Sequence, residues 1–123
     1  MAAQCRALTA EEHDLLAWLL EHGEPDARNF MPQLDVIKAR SSCTCGCPSV
    51  EFTVPMEASY AETTRSIVAD FTGAAKELPV VLILFATGGE LSELKVFPFD
   101  STDLPFGLPA IVSLRPFVSE ASQ

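Results

Sequence analysis

The sequence is poor in the residues on which catalytic and nucleic-acid-binding sites depend. It has 2 histidines, 1 tryptophan and 1 tyrosine, and its 8 basic residues are outnumbered by 17 acidic ones, for a formal charge of −9. The basic residues are scattered along the chain rather than clustered. Such a charge repels phosphate backbones and anionic lipid surfaces. We therefore expect neither nucleic acid nor a membrane surface as a partner, whereas a basic protein would be attracted.

Long apolar runs are also missing. The longest run, from Pro79 to Ala86, is far shorter than the roughly 20 apolar residues that a membrane-spanning helix needs. The first residues, MAAQCRALTAEEH, lack the apolar region of a secretory signal peptide. We expect a cytoplasmic protein, in which cysteines stay mostly reduced and a structural disulfide is disfavoured.

Motifs of catalysis are missing as well. The chain has neither a G-x-S-x-G nucleophile elbow nor a C-x-x-C redox motif. His13 and His22 lie nine residues apart on one predicted helix, so they do not share a face at metal-ligand spacing. TGGE at 87–90 lacks the lysine of a phosphate loop and predicts a hairpin turn instead. Asp70 and Asp100 are isolated acids that no neighbouring residue supports as a site. We predict no catalytic residue and lean away from an enzyme.

The composition is that of a globular protein. Of its 123 residues, 48% are hydrophobic and 20% are charged. This length suits one domain over residues 1–123 with its own hydrophobic core. We expect loose tails at 1–7 and 117–123.

The segment LTAEEHDLLAWLLEHG predicts a helix over residues 10–22. Thr9 fits an N-cap with Glu12 as its capping-box partner, and leucines recur at helical spacing behind them. Gly23 fits a left-handed C-cap. A second, short helical piece is expected at about 26–31, where prolines bracket the chain.

From residue 35 onward the pattern predicts strands joined by hairpins. VEFTV alternates cleanly, PVVLILFA is a continuous run typical of a central strand covered on both faces, and TGGE joins that run to LSELKVFPF. Pro98 favours an edge position or a strand end for this last segment. RSIVADFTG predicts a strand with Ile67, Ala69 and Phe71 on one face, and AIVSL a possible short strand. The fold class is therefore α+β, with one N-terminal helix, or two, packed on a roughly four-stranded antiparallel sheet.

Cys43, Cys45 and Cys47, three of the 4 cysteines, alternate in the segment SSCTCGCPS. Thiolates suit zinc, so this cluster is the candidate metal site. Alternate residues of a flat strand lie about 6.6 Å apart, whereas one zinc ion brings its sulfurs within about 4 Å of each other. All three can therefore bind one ion only if the chain curls at Gly46 and Pro48. A redox role, a disulfide and simple packing of small hydrophobic side chains stay open.

Two segments, CTCGCPSVEF and GELSELKVFPFD, carry a resemblance. They resemble the C-x-C-G-C-P-S and G-x-L-S-x-L-E-V-Y segments of a group of small uncharacterised bacterial proteins. The resemblance covers roughly residues 8–116, with Lys95 and Phe97 where that group has Glu and Tyr. It implies a single-domain protein of a bacterial cytoplasm and assigns neither an activity nor a functional residue.

The lack of a catalytic constellation favours a non-enzymatic binding or protein-interaction module. Its expected partner is a second copy of the chain, through the candidate edge strand at 91–99, or a basic protein. The alternative is a small domain that binds zinc, or is stabilised by it, through Cys43, Cys45 and Cys47. No other cofactor is expected.

Overall fold

A computed structural model of the chain describes residues 6–41, 49–54, 66–75, 78–99 and 107–116. These residues form a seven-stranded antiparallel sheet, one α-helix and a long 3₁₀ helix. In chain order the strands are β1 (Arg6–Ala7), β2 (Lys38–Ser41), β3 (Val50–Thr53), β4 (Ile67–Ala75), β5 (Leu78–Thr87), β6 (Glu90–Pro98) and β7 (Arg115–Pro116). The α+β class is confirmed. The sheet exceeds the four strands expected, partly because two-residue strands such as β1 and β7 leave no alternation in a sequence.

The strands follow the order β1-β2-β3-β6-β5-β4-β7 across the sheet. The segment 91–99, expected as a candidate edge strand, thus forms β6 in the middle of the sheet, and that prediction is wrong. Pro98 is the last residue of β6, so its missing N–H falls at the strand end. The alternative prediction for Pro98, a strand end, is therefore confirmed. Arg6 and Ala7, expected in a loose tail, form the edge strand β1, while residues 1–5 and 117–123 lie outside the described part.

Helix α1 spans Ala10–His22, as predicted. The Thr9 hydroxyl accepts a hydrogen bond from the Glu12 N–H at 3.0 Å, and the Glu12 carboxylate accepts one from the Thr9 N–H at 3.0 Å. Gly23, however, has φ of −81° rather than a left-handed value. A Cβ at Gly23 would lie 2.6 Å from the Val68 carbonyl oxygen, so the glycine permits close approach of the helix end to β4.

The long 3₁₀ helix spans Ala27–Asp35 and passes through Pro32, so it is longer than the piece predicted at 26–31. Phe30 and Leu34 are buried on it. Gln33 is fully buried and joins this helix to the sheet. Its side-chain N–H₂ donates to the Gly89 carbonyl at 2.8 Å, and its side-chain oxygen accepts from the Leu91 N–H at 3.0 Å.

The helices and the segment 107–114 pack on one face of the sheet, here called the covered face. Trp18 of α1 meets Phe71 of β4 edge-on, with ring centroids 4.9 Å apart. A Cβ at Gly73 would meet Leu114 and Pro109 of the segment 107–114. Strand residues buried on this face include Val80, Leu82, Leu84, Leu94 and Val96. Burying each such side chain stabilises the fold by about 1.5–3 kcal/mol, so this layer is the core.

The β5–β6 hairpin turns through two glycines, as predicted. Gly88 and Gly89 have φ of 60° and 85°, the left-handed values that a two-residue type I′ turn requires. β5 has strands on both sides, which confirms its central position. Only one of its faces is fully buried, because Ile83 and Phe85 on the other face remain partly exposed.

Two further predictions need correction. A bulge between Ile67 and Ala69 shifts the register of β4, so Ile67 lies on the face opposite to Ala69 and Phe71. The segment AIVSL is not a strand: residues Ile111–Ser113 form a short 3₁₀ helix. The Ser113 hydroxyl accepts from the Ala74 N–H at 3.0 Å, and the Ala110 N–H donates to the Ala74 carbonyl at 3.3 Å. The Ser113 side chain thus binds the main chain of β4 at a position where a neighbouring strand would otherwise bind.

Candidate functional site: the open face of the sheet

Cys43, Cys45 and Cys47, the predicted metal ligands, lie outside the described residues. The strands on either side of them, β2 and β3, are described, and they pair antiparallel. Ser41 of β2 and Val50 of β3 are cross-strand partners. Such partners have their Cα atoms about 4.5–5.5 Å apart, so the two ends of the cysteine segment are held together. Within the described ranges, no group of three or more His, Cys, Asp or Glu side chains could hold a metal ion.

Ser49, at the end of the cysteine segment, is buried and bound to the central strand. Its hydroxyl accepts a hydrogen bond from the Val96 N–H at 2.8 Å and donates one to the Val96 carbonyl at 3.1 Å. The hydroxyl thus satisfies both main-chain groups of Val96 at the point where the β3–β6 ladder stops. The role of Ser49 is not predictable from the sequence, because a single serine gives no sign that its hydroxyl will bind a strand where a neighbouring strand would otherwise pair.

The two histidines occupy separate positions on the surface of α1. The Nε2 atom of His13 lies 3.4 Å from an Asp35 carboxylate oxygen. The Nδ1 atom of His22 bonds the Trp18 carbonyl at 2.9 Å, and the two rings are stacked with centroids 4.1 Å apart. His22 therefore satisfies a carbonyl in the last turn of the helix, and the two imidazoles do not meet at one site.

Two grooves lie on the surface of the described residues. One, of about 250 Å³, lies between the α1 residues Glu11 and Asp14 and the segment 109–112. The other, of about 370 Å³, is lined by Glu21, His22, Arg28 and Met31. Both are open to solvent, whereas small-molecule sites are concave and enclose most of their ligand. Neither of these two grooves therefore has the enclosed shape of a small-molecule site.

The face of β4, β5 and β6 turned away from the helices, here called the open face, is the stronger candidate. The cross-strand registers arrange its side chains in three rows, each with one residue from β6, β5 and β4. The rows are Glu93–Phe85–Ile67, Lys95–Ile83–Asp70 and Phe97–Val81–Thr72. Side chains in such rows contact one another directly and form one continuous surface.

Apolar side chains at the centre and corners of the open face remain accessible. Ile67 is 42% exposed and Phe97 is 40% exposed. Ile83 and Phe85 are half-buried, and Val81 is buried between its cross-strand neighbours. Exposed apolar side chains that share one face, rather than being scattered singly, are typical of an interaction surface.

The middle row carries two opposite charges on either side of an apolar residue. Lys95 is exposed, Asp70 is half-buried, and Ile83 lies between them. Ion pairs within the described ranges include those of Arg6 with Glu12 and of Arg40 with Glu51, and none there involves Lys95 or Asp70. In the sequence Asp70 is an isolated acid, whereas the sheet places it in one row with Ile83 and Lys95.

Comparison of the chain with protein-family models, with curated proteins and with solved structures finds no match. Of the helices in the described ranges, none is long and apolar enough to cross a membrane.

Proposed function

We propose that the protein is a non-enzymatic protein-interaction module of a bacterial cytoplasm, and that it binds its partner through the open face. The observation that carries the proposal is the exposure of Ile67 and Phe97 on one continuous face that also holds Ile83 and Phe85. Burying a large apolar side chain at an interface contributes about 1.5–3 kcal/mol, so a few of them can drive association.

Two classes of partner fit this surface. A second copy of the chain fits because the open face carries both signs of charge beside its apolar centre. A basic protein fits because the formal charge of −9 would attract it over long distances. In both cases the apolar part of the contact lies on the open face.

Substitution of Phe97 by Asp tests the surface itself. A buried, unpaired carboxylate is costly, so Phe97→Asp should abolish association with every protein partner, whether a second copy or another protein. Val112→Asp is the matched control, since Val112 is 91% exposed and lies in the segment 107–114, away from the open face. Association is measured by light scattering of the purified chain and by co-purification from the native host. Complexes that survive Phe97→Asp unchanged would rule out the open face.

A fold check accompanies both variants. The chain has 1 tryptophan, Trp18, which is packed between His22 and Phe71 and reports on the core. Urea unfolding followed by its fluorescence should show a cooperative transition for Phe97→Asp as well as for Val112→Asp. Loss of binding by a folded variant then reflects the surface and not the stability of the protein.

The second candidate function is a zinc-binding domain that uses Cys43, Cys45 and Cys47. What favours it is the antiparallel pairing of Ser41 with Val50, which brings the two described residues that flank the cysteine segment close together. Near-stoichiometric zinc in elemental analysis, and a melting temperature that falls on addition of a chelator, are expected. Replacement of all three cysteines by serine should remove both effects. Metal-free protein that is stable and unaffected by the chelator would exclude this function.

A further inference from the structure

The middle row of the open face is complementary to itself. In the registers of the sheet, Ile83 of β5 pairs with Lys95 of β6 on one side and with Asp70 of β4 on the other. Two strand spacings separate the positive residue from the negative one, a Cα distance of about 10 Å. The row therefore has a positive end, an apolar centre and a negative end.

Only some orientations of a second copy make use of this pattern. Two identical faces meet in a closed dimer through a two-fold axis that lies between them. An axis perpendicular to the strands would place Lys95 opposite Lys95 and Asp70 opposite Asp70. An axis parallel to β5 places Lys95 of each copy opposite Asp70 of the other, with Ile83 opposite Ile83.

The distances suit this second orientation. Sheets packed face to face lie about 10 Å apart, a gap that a lysine and an aspartate side chain can bridge together. The same axis turns Phe97, which is 40% exposed, toward Thr72 of the second copy. Dimerisation through the edges of the sheet would give a smaller contact than the open faces do, since the edge strands β1 and β7 have two residues each.

We propose that two copies of the chain associate through their open faces, with β5 along the two-fold axis, so that Lys95 of each copy pairs with Asp70 of the other around a central Ile83 contact. This inference rests on the proposed function and names its partner. Each ion pair occurs twice in the dimer, so any substitution in the row acts twice.

Charge reversal tests the arrangement at 150 mM salt, with sedimentation velocity as the measurement. Lys95→Glu places two carboxylates opposite each other at each contact, and Asp70→Lys places two ammonium groups there. Each single reversal should raise the dimer dissociation constant about tenfold or more, since it replaces two attractive contacts by two repulsive ones. The double variant with both reversals restores opposite charges and should return to within a few-fold of wild type.

Mixing the two single variants provides the sharpest readout. When a Lys95→Glu copy faces an Asp70→Lys copy, one contact joins the two substituted side chains and the other joins the two native ones. Both contacts then bring opposite charges together. The mixture should therefore form a heterodimer with an affinity close to that of the wild-type dimer, although each variant alone associates far more weakly.

Lys38→Glu is the matched control for these variants. It makes the same charge change as Lys95→Glu, on an exposed residue of β2, which lies three strands from β5. Its dissociation constant should stay close to that of wild type.

The outcomes separate this inference from the proposed function. A wild-type chain that stays monomeric at all concentrations overturns the dimer. The proposed function as an interaction module is then tested by the effect of Phe97→Asp on binding to other proteins. A dimer that tolerates both single reversals, or single variants that fail to associate on mixing, overturns the β5 axis. A dimer that also tolerates Phe97→Asp overturns the open face as a binding surface, and the proposed function with it.

Discussion

Gln33 joins the long 3₁₀ helix to the β5–β6 turn, and its replacement should be among the most destabilising single substitutions away from the apolar core. The side chain is fully buried, and its amide satisfies the Gly89 carbonyl and the Leu91 N–H at once. Gln33→Met keeps the length of the side chain and removes both hydrogen bonds. Each of the two buried groups left without a partner costs about 1–3 kcal/mol, so the expected loss is about 2–6 kcal/mol.

Gln33→Glu sharpens the same prediction. A carboxylate can accept from the Leu91 N–H but cannot donate to the Gly89 carbonyl, and it buries a charge. A protonated carboxyl can do both, as the amide does. The variant should therefore be strongly destabilised at neutral pH and should recover part of that loss in acid, relative to Gln33→Met at the same pH.

Urea unfolding followed by Trp18 fluorescence measures these effects. With a slope of about 1–3 kcal/mol per molar for a protein of this size, Gln33→Met should lower the midpoint by about 1 M or more. Asn29→Ala, an exposed position on the same 3₁₀ helix, is the control and should change it little. A Gln33→Met midpoint equal to that of wild type would refute the hydrogen-bonding role of Gln33.

Two further predictions concern α1. Burial raises the pKa of Glu12, but hydrogen bonds from Arg6 and Thr9 and the Arg6 charge outweigh it and lower the pKa below 4.5. The ionised Glu12 carboxylate therefore stabilises the fold above its unfolded-state pKa, and this stabilisation is lost as the pH falls through the lowered pKa of the folded state. Glu12→Gln should flatten the decline of the urea midpoint below about pH 5. A decline equal to that of wild type would contradict this prediction. Gly23→Ala should cost about 1–3 kcal/mol, because its Cβ would lie 2.6 Å from the Val68 carbonyl oxygen, with a melting temperature equal to wild type as the contrary result.

The elements that the sequence predicts best are those whose signals are local. Helix α1 begins at a capping box and keeps its leucines at helical spacing, so both its bounds were found. The β5–β6 hairpin follows from two adjacent glycines that can take positive φ. These features depend on contacts within a few residues along the chain, and no tertiary context overrides them.

What the sequence does not predict depends on contacts between distant segments. Gly23 looked like a helix cap, yet its role is the approach to Val68, some 45 residues later. Gln33 reads as one polar residue in a mixed segment, and its partners lie 56 and 58 residues away. The order of the strands is not predictable from the sequence either. Asp70 therefore stands out as an isolated acid, but nothing in the sequence indicates that it shares a row with Lys95.

The large negative charge of the chain and the charge pattern of the open face make opposite demands on a dimer. Two copies, each with a formal charge of −9, repel each other at long range. In the proposed dimer, the pairs between Lys95 and Asp70 would attract at contact, where they would be partly shielded from ions. Salt shortens the screening distance from about 30 Å at 10 mM to about 8 Å at 150 mM, so it weakens the repulsion more than the contact pairs.

The dimer should therefore become tighter, by several-fold, as salt rises from 10 to 150 mM. Sedimentation velocity at both concentrations measures the change, and Lys38→Glu, which makes each copy two charges more negative, should steepen it. A basic protein partner predicts the reverse, since its attraction to the acidic chain is screened by the same ions. Self-association that weakens steadily with added salt would mean that opposite charges, rather than the apolar centre around Ile83, hold the two copies together.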